Sequence, residues 1–275
     1  ATSAQRIFAG SNSFSLIAIP FFILAGNIMN NGGIATRLVN CAKVISGRMP
    51  GALAQSNVVA NMLFGAISGS GAAAAAAMGG TIGPLEEKEG YDKNYSTAVN
   101  VASAPVGMLI PPSNTMIVYS SVAGSVSIAA LFMAGYIPGL LWGGAVMILA
   151  GIMAKKRGYQ AEQRVPVKVA LKTFWQAIPS LLLIVIVIGG ILGGIFTATE
   201  GSAIAVVYAT VLSLIYKAFK IKDIPRIVLE AAKTTGIITF MIGLSSIMSW
   251  AMAFTGIPDT VSYTHLRAHE TLMNL

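Results

Sequence analysis

Charge is what this sequence has least of. Asp, Glu, Lys and Arg make up 10% of its 275 residues, against roughly 25% in an ordinary soluble domain. Apolar residues make up 55%, and a soluble core does not account for that imbalance. The few charges are also bunched. None falls between Arg48 and Glu86, between Lys93 and Lys155, between Lys172 and Glu200, between Glu200 and Lys217, or between Lys233 and Asp259. One helical crossing of a bilayer takes about 20 apolar residues, so these gaps have membrane dimensions. Cysteine is nearly absent: Cys41 alone rules out an intrachain disulfide and a cysteine-rich metal site, and it reads as inert. A cleavable leader is missing, since Ser11-Asn12-Ser13 runs straight into an apolar, helix-like stretch with no cleavage pattern. The first residue is not Met, so the chain reads as a piece of a longer one.

What is present fits helices in lipid. The 29 glycines suit helices packed closely through small side chains. The net charge of +8 does not mark a nucleic-acid partner, because the basic residues form short clusters between apolar runs with no interleaved aromatics. They are topology signals. Arg37, Lys43 and Arg48 form one cluster; Lys155, Lys156, Arg157, Arg164, Lys168 and Lys172 a second; Lys217, Lys220, Lys222 and Arg226 a third. The positive-inside rule places loops 37–48, 155–172 and 217–226 in the cytoplasm. The sequence thus predicts an all-α, multi-pass protein of the bacterial inner membrane.

Parity then constrains the path. Between the second and third clusters lie two apolar runs, about 173–196 and 201–218, which make one out-and-back pair. Between the first and second lie three, about 51–85, 96–123 and 127–154, and three plain crossings would put Lys155–Lys172 outside. Parity is restored if 51–85 is a re-entrant hairpin that enters and leaves on the cytoplasmic side, its tip at Ser68-Gly69-Ser70-Gly71. Glycine tolerates the backbone angles of such a turn and serine satisfies freed backbone groups. A second interruption, Ile110-Pro111-Pro112-Ser113-Asn114-Thr115, falls near the middle of 96–123. Tandem prolines remove two donors and force the preceding residue out of helical geometry, so the helix splits. Half-helix ends brought together in a low dielectric suit carboxylates at their N-termini and Na⁺ at their carbonyl ends.

In the same order and spacing, the chain carries Pro20-Phe21-Phe22-Ile23-Leu24-Ala25-Gly26, Asn57 to Ser70, Ile110-Pro111-Pro112-Ser113, Ala134 to Leu141, and Gly194-Ile195-Phe196-Thr197-Ala198-Thr199-Glu200. On these segments it resembles the large membrane subunit of tripartite ATP-independent periplasmic (TRAP) transporters, the DctM-like family, over nearly all of residues 14–261. The resemblance implies an elevator-type fold of two inverted repeats. Residues 1–154 would form the first repeat, with a scaffold helix, the hairpin, the broken helix and a helix at about 127–154. Residues 155–172 would be a cytoplasmic connector and 173–261 the start of an incomplete second repeat.

It also implies a secondary transporter that imports an organic acid of the C4-dicarboxylate, sugar acid or sialic acid class with Na⁺ as coupling ion and no cofactor. A periplasmic substrate-binding protein and a small TRAP membrane subunit would be its partners. The ion and substrate residues carried over are Ser68, Gly69, Ser70, Gly71, Pro111, Pro112, Ser113, Asn114 and Thr115. The family's second hairpin and second Pro-Pro break have no counterpart before the chain ends, so by this reading the piece does not transport alone. Where many relatives have an Asp after the hairpin tip, this chain has Ala74, which leaves backbone and hydroxyl oxygens as ligands.

Other readings attach to the same residues. Ser68-Gly69-Ser70 could be a packing patch and Pro111-Pro112 a simple kink. Asn57 and Asn61, four apart and so on one helix face, could touch ligand or bond neighbouring backbone. Thr197 and Glu200 have the spacing of a helix cap, and Trp142, Trp175 and Trp250 suit the membrane interface. A single-component anion permease of the same architecture is the alternative function. A proton-driven antiporter is disfavoured by the lack of ionisable residues at membrane depth, and an enzyme by serines with no base beside them. Residues 262–275 break the family pattern and read as a non-native tail; His265, His269 and Glu270 within them have metal-binding spacing but no further ligand.

Overall fold

The computed structural model of the chain describes residues 2–123, 126–159, 166–258 and 260–261. The tail 262–275, with its two histidines, lies outside the described residues, as does Arg164. Among the described residues every regular element is helical. In order they are α1 (Thr2–Ser11), α2 (Ala18–Asn31), α3 (Ile34–Ser46), α4 (Ala52–Ser68), α5 (Gly71–Thr81), α6 (Gly83–Lys88), α7 (Lys93–Ser103), α8 (Val106–Leu109), α9 (Asn114–Ala123), α10 (Ile128–Lys156), α11 (Val167–Leu192), α12 (Ala198–Ile215) and α13 (Ile224–Thr255).

Five of these stretches are long and apolar enough to cross a bilayer: Phe14–Asn31, Ile128–Lys156, Lys168–Leu192, Ala198–Ile215 and Ile224–Thr255. A sixth crossing is available if α7–α8 and α9, bent by 50° at the Pro-Pro break, count as one span.

Local chemistry sets the boundaries. Asp92 caps α7 by accepting the Tyr95 N–H at 2.9 Å, and Ser127 caps α10 by accepting the Ala130 N–H. Thr197 and Glu200 form a complete capping box at the start of α12: the Thr197 hydroxyl accepts the Glu200 N–H, and a Glu200 carboxylate oxygen accepts the Thr197 N–H at 2.7 Å. The cap expected from the spacing is therefore present.

Residues 14–232 form one compact unit. Within it α2 lies along α12 so closely that a Cβ on Gly32 would fall 1.8 Å from Ser213 Oγ. Helix α3 packs on α4 and α11 and buries Ile34, Leu38, Val39, Cys41 and Ala42. The α4 arm is pinned to α10 by Gln55, whose Nε2 donates to the Met147 carbonyl at 2.8 Å, and the Tyr95 hydroxyl donates to the Ala150 carbonyl at 2.8 Å. The second unit comprises, among the described residues, 2–13 and 233–261 except 259. In it α1 meets α13 at small residues, Gly10 against Ser246 and Gly243 against Ile7, and the Arg6 guanidinium lies 5.9 Å from the Trp250 ring centre.

The basic clusters are loops only in part: Arg48, Arg157, Lys217 and Lys220 lie in connections, but the other described ones lie on helices. Arg37 and Lys43 lie on α3, Lys155 and Lys156 end α10, Lys168 and Lys172 begin α11, and Arg226 lies in the first turn of α13. Charge placement reports the side of the membrane, and helices carry it as readily as loops do. On α3 the apolar face is buried while Arg37 reaches over the Tyr216 ring, 3.3 Å from its centre. Cys41 is buried on α3, and that burial raises its thiol pKa and keeps it in the unreactive form.

Candidate ion and substrate site

The α4 and α5 arms run antiparallel about a two-residue gap. The Asn100 side chain bridges them eight residues before the gap and five after it: its Oδ1 accepts from Asn61 Nδ2 at 3.0 Å, and its Nδ2 donates to the Ala75 carbonyl at 2.8 Å. At the tip α4 ends in Gly69, whose φ of +61° is the left-handed conformation that favours glycine. The Gly69 N–H closes the arm on the Gly65 carbonyl at 2.8 Å. Ser70 then turns extended and caps α5, its Oγ accepting the Ala73 N–H at 3.2 Å. A helix carbonyl end and a helix N–H end thus meet at Ser68–Gly71.

The broken helix faces this tip. Ile110 is extended, as a residue before proline must be, and Pro111 and Pro112 offer no N–H to the carbonyls of Gly107 and Met108. The peptide bond between the two prolines is cis. Ser113 Oγ replaces one of the missing donors by bonding the Met108 carbonyl. Asn114, 6% exposed, then opens α9 and reaches across to the hairpin: its Nδ2 donates to the Ser68 carbonyl at 3.3 Å, and its buried Oδ1 has no partner.

Glycines allow the approach. A Cβ on Gly69 would sit 2.7 Å from Asn114 Nδ2, one on Gly65 would sit 2.6 Å from the Gly107 Cα, and one on Gly26 of α2 would sit 3.0 Å from the Ser68 Cα. The site is a junction of opposed backbone ends, hydroxyls and one amide oxygen.

Of the sequence-derived site residues, Ser68, Gly69, Gly71, Pro111, Pro112, Ser113 and Asn114 are buried at this junction, with Ser70 half-buried beside them. Thr115 is not among them: it lies on the exposed side of the first turn of α9. Asn57 and Asn61 are fully buried but belong to a separate network. Asn61 Nδ2 donates to Asn57 Oδ1 at 2.8 Å and to Ser103 Oγ at 2.9 Å, besides Asn100. These bonds hold the first arm against α7. Ala74 is buried and adds no charge.

The sequence reading missed Gly26, Gly65, Gly107, Asn100 and Ser103. Asn100 and Ser103 did carry a signal, since two polar residues one turn apart in an apolar block match the Asn57–Asn61 pair.

Comparison with known proteins matches residues 1–274 to the family described as "Tripartite ATP-independent periplasmic transporter, DctM component". The chain belongs to the DctM family of TRAP transporter permeases. The match runs into the segment 262–274 that the sequence pattern alone set apart.

Among curated DctM-type relatives it is 51% identical to the uncharacterized protein YgiK of Salmonella typhimurium, covering 94% of this chain and 60% of that protein. It is 36% identical to the C4-dicarboxylate TRAP transporter large permease protein DctM of Rhodobacter capsulatus, covering 94% of this chain and 62% of that one. It is likewise 36% identical to the sialic acid TRAP transporter large permease protein SiaM of Vibrio cholerae, covering 94% and 61%. The chain therefore spans about three-fifths of the length of these relatives. As a DctM permease it is a multi-pass protein of the bacterial inner membrane, of a family of transporters rather than enzymes.

Proposed function

We propose that this chain provides the first inverted repeat, residues 1–154, and the start of the second, 173–261, of a Na⁺-coupled importer of an organic acid. A periplasmic binding protein delivers the acid, and a small membrane subunit stands beside the permease. Substrates named for relatives include C4-dicarboxylate, sialic acid and 2,3-diketo-L-gulonate, which are carboxylic acids, beside isethionate, a sulfonate, and ectoine, a zwitterionic carboxylate; all carry an anionic group, which supports that class.

The observation that carries the reading is Asn114. Its amide is buried at the hairpin tip, with one end on the Ser68 carbonyl and its oxygen free. A buried polar atom without a partner is costly, and an amide oxygen next to a helix carbonyl end is the hard-oxygen environment that a small cation takes. In this reading Na⁺ is held by Asn114 Oδ1, the Ser113 and Ser68 hydroxyls and carbonyls at Ser68–Gly71. The N-terminal ends of α5 and α9 then face the carboxylate of the substrate. Thr115 is left out of the ion shell, and Asn57 and Asn61 have a structural role.

Uptake by the permease assembled with its partners, at fixed pH with and without an inward Na⁺ gradient, tests the proposal. Uptake should depend on the gradient and fall at least tenfold in Asn114→Ala, about 1.4 kcal/mol at the ion site. Equal uptake without Na⁺ would refute the coupling.

A further inference from the structure

Glu86 is the one carboxylate buried among the described residues, 1% exposed. It lies on α6, the short helix at the base of the second hairpin arm, which Pro84 starts. Neither of its carboxylate oxygens has a hydrogen-bonding partner. It opens onto a cavity of about 370 Å³ lined also by Asn57, Gly79, Tyr91, Ser96 and Asn100, away from the hairpin tip. Two more buried groups in that lining, Asn57 Nδ2 and Ser96 Oγ, are unpartnered as well.

A carboxylate taken out of water must be paired, bound to a cation or protonated. Pairing does not occur: Lys93 lines the cavity but makes no ion pair with Glu86, and Arg157 is taken by Asp92 at 3.1 Å. The hairpin arms, residues 52–81, contain no titratable side chain. The other titratable groups facing the cavity are Glu87 and Tyr91, with Tyr95 near enough to feel the charge of Glu86. No group of three or more His, Cys, Asp or Glu side chains that could hold a metal ion occurs among the described residues. Protonation is the remedy that needs no further ligand.

We propose that the Glu86 cavity is a proton-binding site that latches the base of the re-entrant hairpin. One proton passes from cavity water to a Glu86 carboxylate oxygen while α6 and α7 stay closed on it, and it returns to water when they part. Burial pushes the Glu86 pKa up to about 7, with Ser96 drawing it back slightly without reaching hydrogen-bonding geometry. The sign follows directly. The folded state keeps this proton up to about pH 7, whereas the unfolded chain gives it up near the ordinary value of 4.5. The stabilising contribution is therefore complete below that lower value and is lost as pH rises through the upper one. Reciprocally, between about pH 4.5 and pH 7 a motion that exposes Glu86 to water releases its proton. The inference does not rest on the Na⁺ reading of the hairpin tip.

Infrared titration of the full chain in lipid nanodiscs tests it through the carbonyl stretch of a protonated carboxyl. Wild type should show a band that disappears with a midpoint near neutrality, and E86Q should lack it. Ser96→Ala should raise the midpoint, and these two proteins decide the matter should E86Q fail to fold. In melts, wild type should lose stability between pH 5 and pH 8, while E86Q should not. A wild-type midpoint in the ordinary carboxylate range, a titrating band that survives in E86Q, or a Ser96→Ala midpoint no higher than wild type would each overturn the proposal.

Discussion

Gly65 on α4 and Gly107 on α8 touch backbone to backbone, and neither has room for a methyl group: a Cβ on either would come within 2.6 Å of the other's Cα. Gly80, on the second arm, meets nothing within 4 Å and is exposed. The two positions therefore respond oppositely to alanine. Gly65→Ala should cost about 1–3 kcal/mol by overpacking, while Gly80→Ala should gain about 0.5–1 kcal/mol by removing a helical glycine. Melting of the detergent-solubilised chain reads both. At this scale the sequence was legible where chemistry is local. Gly69 and Pro111-Pro112 interrupt a helix whatever surrounds them. The Gly65–Gly107 contact joins positions 42 residues apart, and the Glu86 pocket needs four helices, α4 to α7, to form it; neither leaves a local trace.

The hairpin arms are the elements on which topology turns. At about 1.5 Å per residue, a 17-residue α4 reaches roughly 26 Å and an 11-residue α5 roughly 16 Å, against a hydrocarbon core of about 30 Å. With the arms antiparallel, the pair comes back to the side it left. Single cysteines in a Cys41→Ala background test this with an impermeant thiol reagent. Lys88→Cys should react from the same side as Lys156→Cys, and Ile195→Cys, 79% exposed in the wild-type residue, from the opposite side. Reaction of Lys88→Cys from the Ile195 side would make 52–81 a crossing. Charge bunching anticipated helices of membrane length, because a crossing excludes charge; parity set the hairpin apart from them. They were silent on α3, where an apolar face buried under α4 and α11 makes a helix of what charge alone marks as a connection. They were also silent on the extra break before Pro105, which ends α7 at Ser103.

At the scale of the whole molecule, the chain is a DctM permease that spans about three-fifths of its curated relatives. The junction of helix ends at Ser68–Gly71 and Pro111–Asn114 has no ionisable side chain among the proposed ligands. Backbone carbonyls and amides select a cation by geometry rather than by fixed charge. The proposed Na⁺ site lies at this junction. Melting the solubilised chain in NaCl and in equimolar choline chloride tests it most directly. Na⁺ should stabilise the wild type saturably, by about 2.7 kcal/mol at a hundred times its dissociation constant, and Asn114→Ala should abolish the gain. Identical melting in the two salts, or an undiminished Na⁺ effect in Asn114→Ala, would rule out a Na⁺ site here.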